Sequence, residues 1–181
     1  MKIKRVFFVI IVLFMGCALS YEEREMRQFL SLWNDVHPFY TNKVGFIAST
    51  GFFNPGIIST LHQDLRTNEV FVAMVTQKFS SLEEYIVTFS NITLHYAYLS
   101  FYESLSGRSP DVLVREIDDI IKQLETKANV PEKEKKIQNA LLLQKRLREY
   151  QALQGQISSR WVKLVYRYAE DLGKVYKSLI Q

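Results

Sequence analysis

The stretch that decides the fold lies in the middle of the chain, from Tyr85 to Tyr102, and reads YIVTFSNITLHYAYLSFY. It contains no charged side chain, and its apolar residues go round most of the circumference of a helix. A helix that is apolar on nearly every side is typically buried. Polar side chains within it, at Asn91, Thr93 and His95, argue against a membrane span. We therefore expect this segment to be the central helix of a bundle.

Signals for the start and the end of this helix flank it. Ser80–Glu83 (SSLE) has the spacing of a capping box, in which a hydroxyl accepts a bond from a first-turn amide and the carboxylate returns to the cap. Gly107 and Pro110 follow the apolar stretch and are typical of a helix end. The pattern predicts a helix from about Ser81 to Leu105.

The residues before the central stretch also predict helices. Tyr21–Val36 is amphipathic, and His37-Pro38 ends it because the residue before a proline avoids the α region. Ile57–Phe79 has apolar residues at helical spacing. Its segment Val70–Val75 is strand-like by propensity, but a single strand has no partner in the rest of the chain, which favours helix.

The residues after the central stretch predict further helices. Pro110 lies in the first turn of one that ends near Asn129, and Pro131 opens the next. Gly155 is either a break or a tolerated residue within a helix. A continuous helix from Pro131 to Gln181 would be about 75 Å long and would need a partner along its length. We favour the alternative, a bend near Gly155 and a long C-terminal helical hairpin.

Together these segments predict an all-α fold, an irregular bundle of about five or six helices around a central apolar helix. Residues 21–181 are expected to form a single helical domain. About 160 residues can bury a sufficient core without disulfides, which this part of the chain cannot form because it has no cysteine.

The first 20 residues have the pattern of a secretory signal segment. Lys2, Lys4 and Arg5 precede an apolar run from Val6 to Gly16, and small residues follow it. As a helix this run would span about 16 Å, whereas the hydrocarbon core of a bilayer is about 30 Å thick. The chain is therefore predicted to be exported, with residues 1–20 as the signal segment.

The end of this segment contains two alternative processing sites. Small residues at Ala18 and Ser20 suit cleavage after Ser20, which would leave a mature chain that begins at Tyr21. Alternatively, residues 14–17 (FMGC) resemble the bacterial lipobox through their Gly-Cys pair. That resemblance implies lipidation of Cys17, the single cysteine of the chain, and attachment to a membrane through the lipid.

The formal net charge of +4 comes mainly from the signal segment. Without its three cations, the rest of the chain has 20 Lys and Arg against 19 Asp and Glu, which gives no argument for nucleic acid as a partner. The charge is divided unevenly, since 21–110 has 6 cations and 9 anions whereas 111–181 has 14 and 10. Packing of the two halves on each other would explain this, and so would a basic C-terminal face for anionic headgroups.

No motif for catalysis or metal binding is present in the sequence. The three histidines, His37, His62 and His95, lie far apart, and none has the His-Glu-x-x-His or Glu-x-x-His spacing of helical metal sites. The chain has neither a Gly-x-Ser-x-Gly elbow nor a phosphate-binding glycine loop. We therefore predict a protein that is not an enzyme and that holds no metal or other cofactor.

Two groups of residues are candidates for binding. Aromatic side chains crowd the middle of the chain, and a pocket for a small apolar ligand or lipid would be lined by Phe52, Phe53, Tyr96 and Tyr98. Cations outnumber acids on the last helical segment, where a basic face would consist of Arg160, Lys163, Arg167 and Lys174.

The sequence therefore predicts an exported cell-envelope protein, lipid-anchored if Cys17 is modified, on the periplasmic or outer-membrane face of a bacterium. Its expected role is non-catalytic, either structural or as the binder of an envelope protein partner. The competing interpretation is a binding module with the aromatic pocket. The sequence leaves the oligomeric state open.

Overall fold

Seven complete α-helices and a helical stretch at 60–63 lie in the part of the chain that the computed structural model describes, which is residues 20–40, 60–127 and 130–178. Three 3₁₀ helices lie between them, at His37–Phe39, Leu65–Thr67 and Gln154–Gln156, and these ranges contain no strand. The predicted all-α fold is confirmed. In chain order the helices are α1 (Tyr21–Val36), α2 (Glu69–Thr76), α3 (Leu82–Ser104), α4 (Pro110–Thr126), α5 (Lys133–Leu153), α6 (Ser159–Arg167) and α7 (Ala169–Ser178).

Helix α3 occupies the centre, as predicted, and contacts α1, α2, α5 and α6. Its buried side chains include polar as well as apolar residues, which matches a helix that is covered on several sides. They are Tyr85, Ile86, Thr88, Phe89, Ile92, Thr93, His95 and Ala97.

The cap of α3 lies one residue later than the capping box predicted from the sequence. Ser81 is the N-cap, and its hydroxyl accepts a bond from the Glu84 N–H at 3.1 Å. The Glu84 carboxylate in turn accepts a bond from the Ser80 N–H at 2.8 Å. One backbone donor of the first helical turn and one just before the cap are satisfied in this way.

The main hydrophobic core lies between α1, α2, α3, α6 and α7 and is rich in aromatic rings. Within it, the Tyr40 hydroxyl is 2.8 Å from His62 Nε2 and 3.0 Å from the Tyr85 hydroxyl, and all three side chains are fully buried. Since buried polar groups are costly without partners, this network specifies how the segments that carry them pack. Rings of Phe29, Trp33, Phe71 and Phe89 surround it.

The predicted helix Ile57–Phe79 is interrupted in its described part. After a helical stretch at 60–63, Asn68 has extended backbone angles, and its side chain accepts a bond from the Phe71 N–H at 3.0 Å. This Asx cap starts α2 as a new helix. Val70–Val75 lies within α2, so the helical interpretation of that segment is confirmed over the strand-like one.

The C-terminal region bends near Gly155, as favoured from the sequence, but the helical hairpin lies elsewhere. Gly155 falls in the 3₁₀ helix after α5, and Ile157 is extended. Helix α5 packs along α4, whereas α6 packs on α3 and α1. The hairpin is therefore formed by 110–153, because the apolar stripes of α4 and α5 cover each other, and a further break at Tyr168 separates α6 from α7.

No helix in the described ranges is long and apolar enough to cross a membrane. Cys17 with the lipobox-like residues 14–17, and the pocket candidates Phe52 and Phe53, lie outside the described residues. Ser20, the last residue before the other cleavage site, is described and is the N-cap of α1.

Candidate interaction surface

The hairpin of α4 and α5 joins the rest of the described protein at its base, through a second hydrophobic cluster. Tyr150 lies at the centre of this contact. Its ring stacks on Tyr98 with centroids 4.7 Å apart and lies 5.0 Å from the ring of Phe101. Leu105, Ile117 and Leu147 complete the buried part.

Two side-chain hydrogen bonds fix the register of the hairpin. Gln144 Nε2 donates to Asp118 Oδ1 at 2.6 Å, and Gln151 Nε2 donates to Asp111 Oδ1 at 2.5 Å. Asp118 follows Asp111 by the same number of residues that separates Gln144 from Gln151. Both bonds therefore belong to one antiparallel register, which favours a single alignment of the two helices.

The far end of the hairpin is closed by Lys133, the first residue of α5. Its ammonium donates to the carbonyl oxygens of Glu125 at 2.8 Å and Lys127 at 3.1 Å. The last carbonyls of a helix have no partner within the helix and carry the negative end of its dipole, so a cation there is stabilising. The hairpin is thus held at its base, along its seam and at its tip.

Between base and tip the hairpin leaves apolar side chains exposed. Leu141, Leu142 and Leu143 follow one another and are 42%, 50% and 46% exposed, and Ile120 on α4 is 50% exposed. Consecutive residues on a helix point about 100° apart, so three of them cannot all face one neighbour. A run of exposed apolar residues of this kind is unfavourable unless it serves binding.

By sequence, Leu141 and Leu143 continue an apolar stripe of α5 with Ile137, Leu147 and Tyr150, and would be expected in the core. In the structure the buried positions near them are Gln144 and Leu147. The run Leu141–Leu143 itself was the signal that could have shown this, because only part of such a run can lie on one helix face.

The two helices of the hairpin carry opposite net charges. Helix α4 has five acids and two bases, whereas α5 has six bases and two acids. The hairpin that carries the exposed leucines therefore has charged side chains of both signs. Such charges would orient a partner more than they would add affinity.

Comparison of the chain with protein-family models, curated proteins and solved structures finds no match.

The predicted basic face is largely matched by acids of the same chain. Arg160 lies 3.3 Å from the Glu22 carboxylate and Arg167 lies 3.2 Å from Glu23, so α6 pairs with the first turn of α1. Packing of the acidic and basic halves is therefore seen directly at this place. Lys174 pairs within its own helix, at 3.1 Å from Glu170 and 3.5 Å from Asp171, and Lys163 is exposed.

The structure does not bring together the pocket residues Tyr96 and Tyr98. Tyr96 packs against the main core and stacks on Tyr176 with centroids 4.4 Å apart, whereas Tyr98 belongs to the cluster at the hairpin base. Residues two positions apart on a helix point about 200° apart, which explains the separation. Tyr96 and Tyr98 therefore do not line a common pocket, contrary to the prediction.

A cleft lies at a different place, between the C-terminal half of α1 and α7. It has a volume of about 290 Å³ and is lined by both apolar and polar side chains. The Trp33 indole N–H donates to Ser178 Oγ at 3.2 Å, and His37 Nε2 donates to the Ser178 carbonyl at 3.0 Å. Its lining is Leu30, Trp33, Asn34, His37, Asp171, Lys174, Val175 and Ser178.

Within the described ranges, no group of three or more His, Cys, Asp or Glu side chains is arranged to hold a metal ion. His62 is bound to Tyr40 inside the core, and His95 is buried against Asn91 and Ser158.

Proposed function

We propose that this chain is an exported, lipid-anchored envelope protein with a non-catalytic role, and that it binds a partner protein through the hairpin of α4 and α5. The observation that carries the proposal is the exposed run Leu141–Leu143 on a hairpin that is otherwise well held. A partner helix that lies along α5 would cover these side chains in the way that amphipathic helices fill apolar grooves.

A photo-crosslinking amino acid at Leu142 tests this binding in cells that express the full chain. We expect one discrete cross-linked species, because a specific interface holds one partner at a fixed distance. The matched control is Val87 on α3, which is 55% exposed and also apolar. Equal cross-linking from Leu142 and Val87, or none from Leu142, would contradict the proposal.

A second experiment places a charge in the proposed interface. Leu142→Lys should leave the thermal unfolding midpoint of the isolated protein nearly unchanged, because the side chain is half exposed. It should abolish the cross-link formed from a neighbouring probe at Gln138. Persistence of that cross-link would show that Leu142 does not lie in the interface.

Export and lipid attachment rest on residues 1–20 and are tested by mass spectrometry of the mature N-terminus. Modification at Cys17, lost in Cys17→Ser, is the expected result. A free Tyr21 amine would support export without the lipid, and an intact Met1 in the cytosol would overturn export.

The cleft between α1 and α7 favours a second candidate function, binding of a small amphiphile. Its volume lies at the lower end for ligand pockets, and a ligand carboxylate would bind Lys174 in competition with Glu170 and Asp171. Titration with a medium-chain fatty acid should change Trp33 fluorescence, and Lys174→Ala should weaken the effect whereas Lys163→Ala should not. An unchanged emission spectrum would exclude this function for fatty acids.

A further inference from the structure

The connection between the hairpin and α6 is held by a buried histidine on α3. The Ser158 backbone N–H donates to His95 Nε2 at 2.9 Å, and His95 Nδ1 lies 2.6 Å from the Asn91 carbonyl oxygen. Ser158 is the N-cap of α6 and directly follows the extended residue Ile157. This side chain therefore adds a polar tie between the central helix and the connection after the hairpin, in addition to the contact of Tyr150 with Tyr98.

The two bonds require a neutral imidazole. Because Ser158 is a donor, Nε2 must carry no proton, and Nδ1 must then hold the proton that it donates to Asn91. Protonation of Nε2 would place two N–H donors against each other and would leave the Ser158 amide without its acceptor. The bond to Asn91 survives in either state.

The surroundings of His95 support a response to acid. Its side chain is 1% exposed, and the ring of Trp161 on α6 lies 6.1 Å away. Burial lowers the pKa of His95, and the Asn91 carbonyl opposes this shift in part. No charged side chain contributes to that pKa.

The groups that contact the His95 ring are the Ser158 amide, the Asn91 carbonyl and the Trp161 indole, and none of them titrates in acid. Carboxylates of the hairpin do titrate there, since Asp111 and Asp118 accept the bonds that fix its register. A comparison with His95→Gln separates protonation of His95 from protonation of these carboxylates.

We propose that His95 is an acid-sensitive latch, whose protonation releases Ser158 and frees the hairpin of α4 and α5 to change its orientation relative to α1, α3 and α6. This inference deepens the proposed function, since it assigns regulation to the same hairpin. An exported protein would experience the pH of its surroundings directly. The release is measured on the isolated protein, so it does not depend on finding the partner.

The first readout is protonation of His95 itself. In a Trp33→Phe background Trp161 is the remaining tryptophan, and a protonated imidazole beside an indole quenches its fluorescence. We expect Trp161 emission to fall as the pH is lowered below about 6.5. His95→Gln, which retains an acceptor for Ser158 but does not titrate, should remove the change.

The second readout is the position of the hairpin. Spin labels at Gln138 and Asp35, in the full chain with Cys17→Ser, give a distance distribution between α5 and α1. We expect a narrow distribution at about pH 7.5 and a broadened or shifted one at about pH 4.5. His95→Gln should stay narrow at both values, and Ser158→Pro, which removes the donor, should be broad at both.

A control label pair at Asp35 and Val87 reports on the contact between α1 and α3 and should stay narrow throughout. Three results would overturn the latch. They are an unchanged hairpin distance when Trp161 fluorescence shows His95 to be protonated, the same broadening in His95→Gln, and broadening of the control pair together with the hairpin pair. A working latch without a cross-linked partner would instead contradict only the proposed binding function.

Discussion

At the scale of single residues, two glutamates near the start of α3 have opposite electrostatic environments. Glu25 on α1 is 5% exposed and accepts a bond from the Thr88 hydroxyl at 2.9 Å, and burial raises the pKa of Glu25. Glu84 accepts bonds from the Ser80 hydroxyl and backbone N–H, and these lower the pKa of Glu84. The two carboxylates should therefore affect stability with opposite dependence on pH.

Glu25→Gln is expected to increase the free energy of unfolding at neutral pH. Because the folded pKa of Glu25 is raised, its stabilising contribution is present below the unfolded pKa, about 4.3, and is lost as pH rises through the folded value. The amide cannot ionise, so the gain should be greatest near neutral pH and should disappear below about pH 4. Urea unfolding at several pH values measures this gain.

Glu84→Gln is the matched control, and its effect should have the other sign. The folded pKa of Glu84 is lowered, so its contribution is present above the unfolded value and is lost in acid. The substitution should destabilise the protein at neutral pH and have little effect near pH 3. If the Glu25→Gln variant were less stable than the parent at neutral pH, the fold would favour the ionised form of Glu25, and the prediction for Glu25 would be wrong.

At the scale of helices and their connections, two glycines lie at breaks between helices but differ in backbone conformation. Gly107 lies between α3 and α4 with a φ of +76°, a backbone conformation that residues other than glycine rarely adopt. Gly155 has no such φ, and a Cβ added there meets nothing within 4 Å. The break near Gly155 is fixed instead by the extended backbone of Ile157 and by the bond from Ser158 to His95.

Alanine at the two positions should therefore change stability in opposite directions. Gly107→Ala should destabilise by about 1–2 kcal/mol through the left-handed backbone. Gly155→Ala should stabilise by about 0.4–1 kcal/mol, since it restricts the unfolded chain without strain in the folded one. Urea unfolding measures both, and circular dichroism should show no added helix in Gly155→Ala. A gain of helix would mean that glycine itself makes the break.

At the scale of the whole molecule, the two halves of the chain meet where α1 packs against α6. The ion pair between Arg160 and Glu22 joins residues separated by 138 positions in sequence. Arg160 is 79% exposed, so solvent weakens the attraction. The pairing of Arg160 with Glu22 therefore helps to align the two halves of the chain more than it adds to the free energy of unfolding.

A double-mutant cycle with Glu22→Gln and Arg160→Gln should give a coupling energy of about 0.2–1 kcal/mol at low salt. The coupling should decrease strongly at about 1 M salt, because the Debye length falls to about 3 Å. Denaturant unfolding of the four proteins gives the value. A coupling that is unchanged by salt would indicate a hydrogen bond shielded from solvent instead of an exposed ion pair.

Predictions from local pattern succeeded where the residues that determine a helix lie within that helix or directly beside it. The amphipathic period and the proline after it gave the bounds of α1, Tyr21–Val36, and the uncharged stretch gave the buried central helix α3. The cap of α3 was misplaced by one residue because Ser80 and Ser81 offer two adjacent hydroxyls with the same local chemistry.

Predictions that needed a choice of neighbour succeeded less often. Leu141 and Leu143 fit an apolar stripe, but the face of α5 that packs on its neighbours is the one with Gln144 and Leu147, so the two leucines are exposed. The prediction that Tyr96 and Tyr98 line one pocket was wrong for a related reason. Tyr96 stacks on Tyr176, whereas Tyr98 stacks on Tyr150.

The sequence by itself determined that the described chain is helical, where several helices begin and end, and that a bend follows α5. Side-chain periodicity, helix caps and the backbone restrictions of proline and glycine act over a few residues, so a single segment of sequence shows them. Only the tertiary structure decided that α5 pairs with α4, that Arg160 meets Glu22, and that His95 holds Ser158. Those contacts depend on the relative positions of distant segments, which no local pattern specifies.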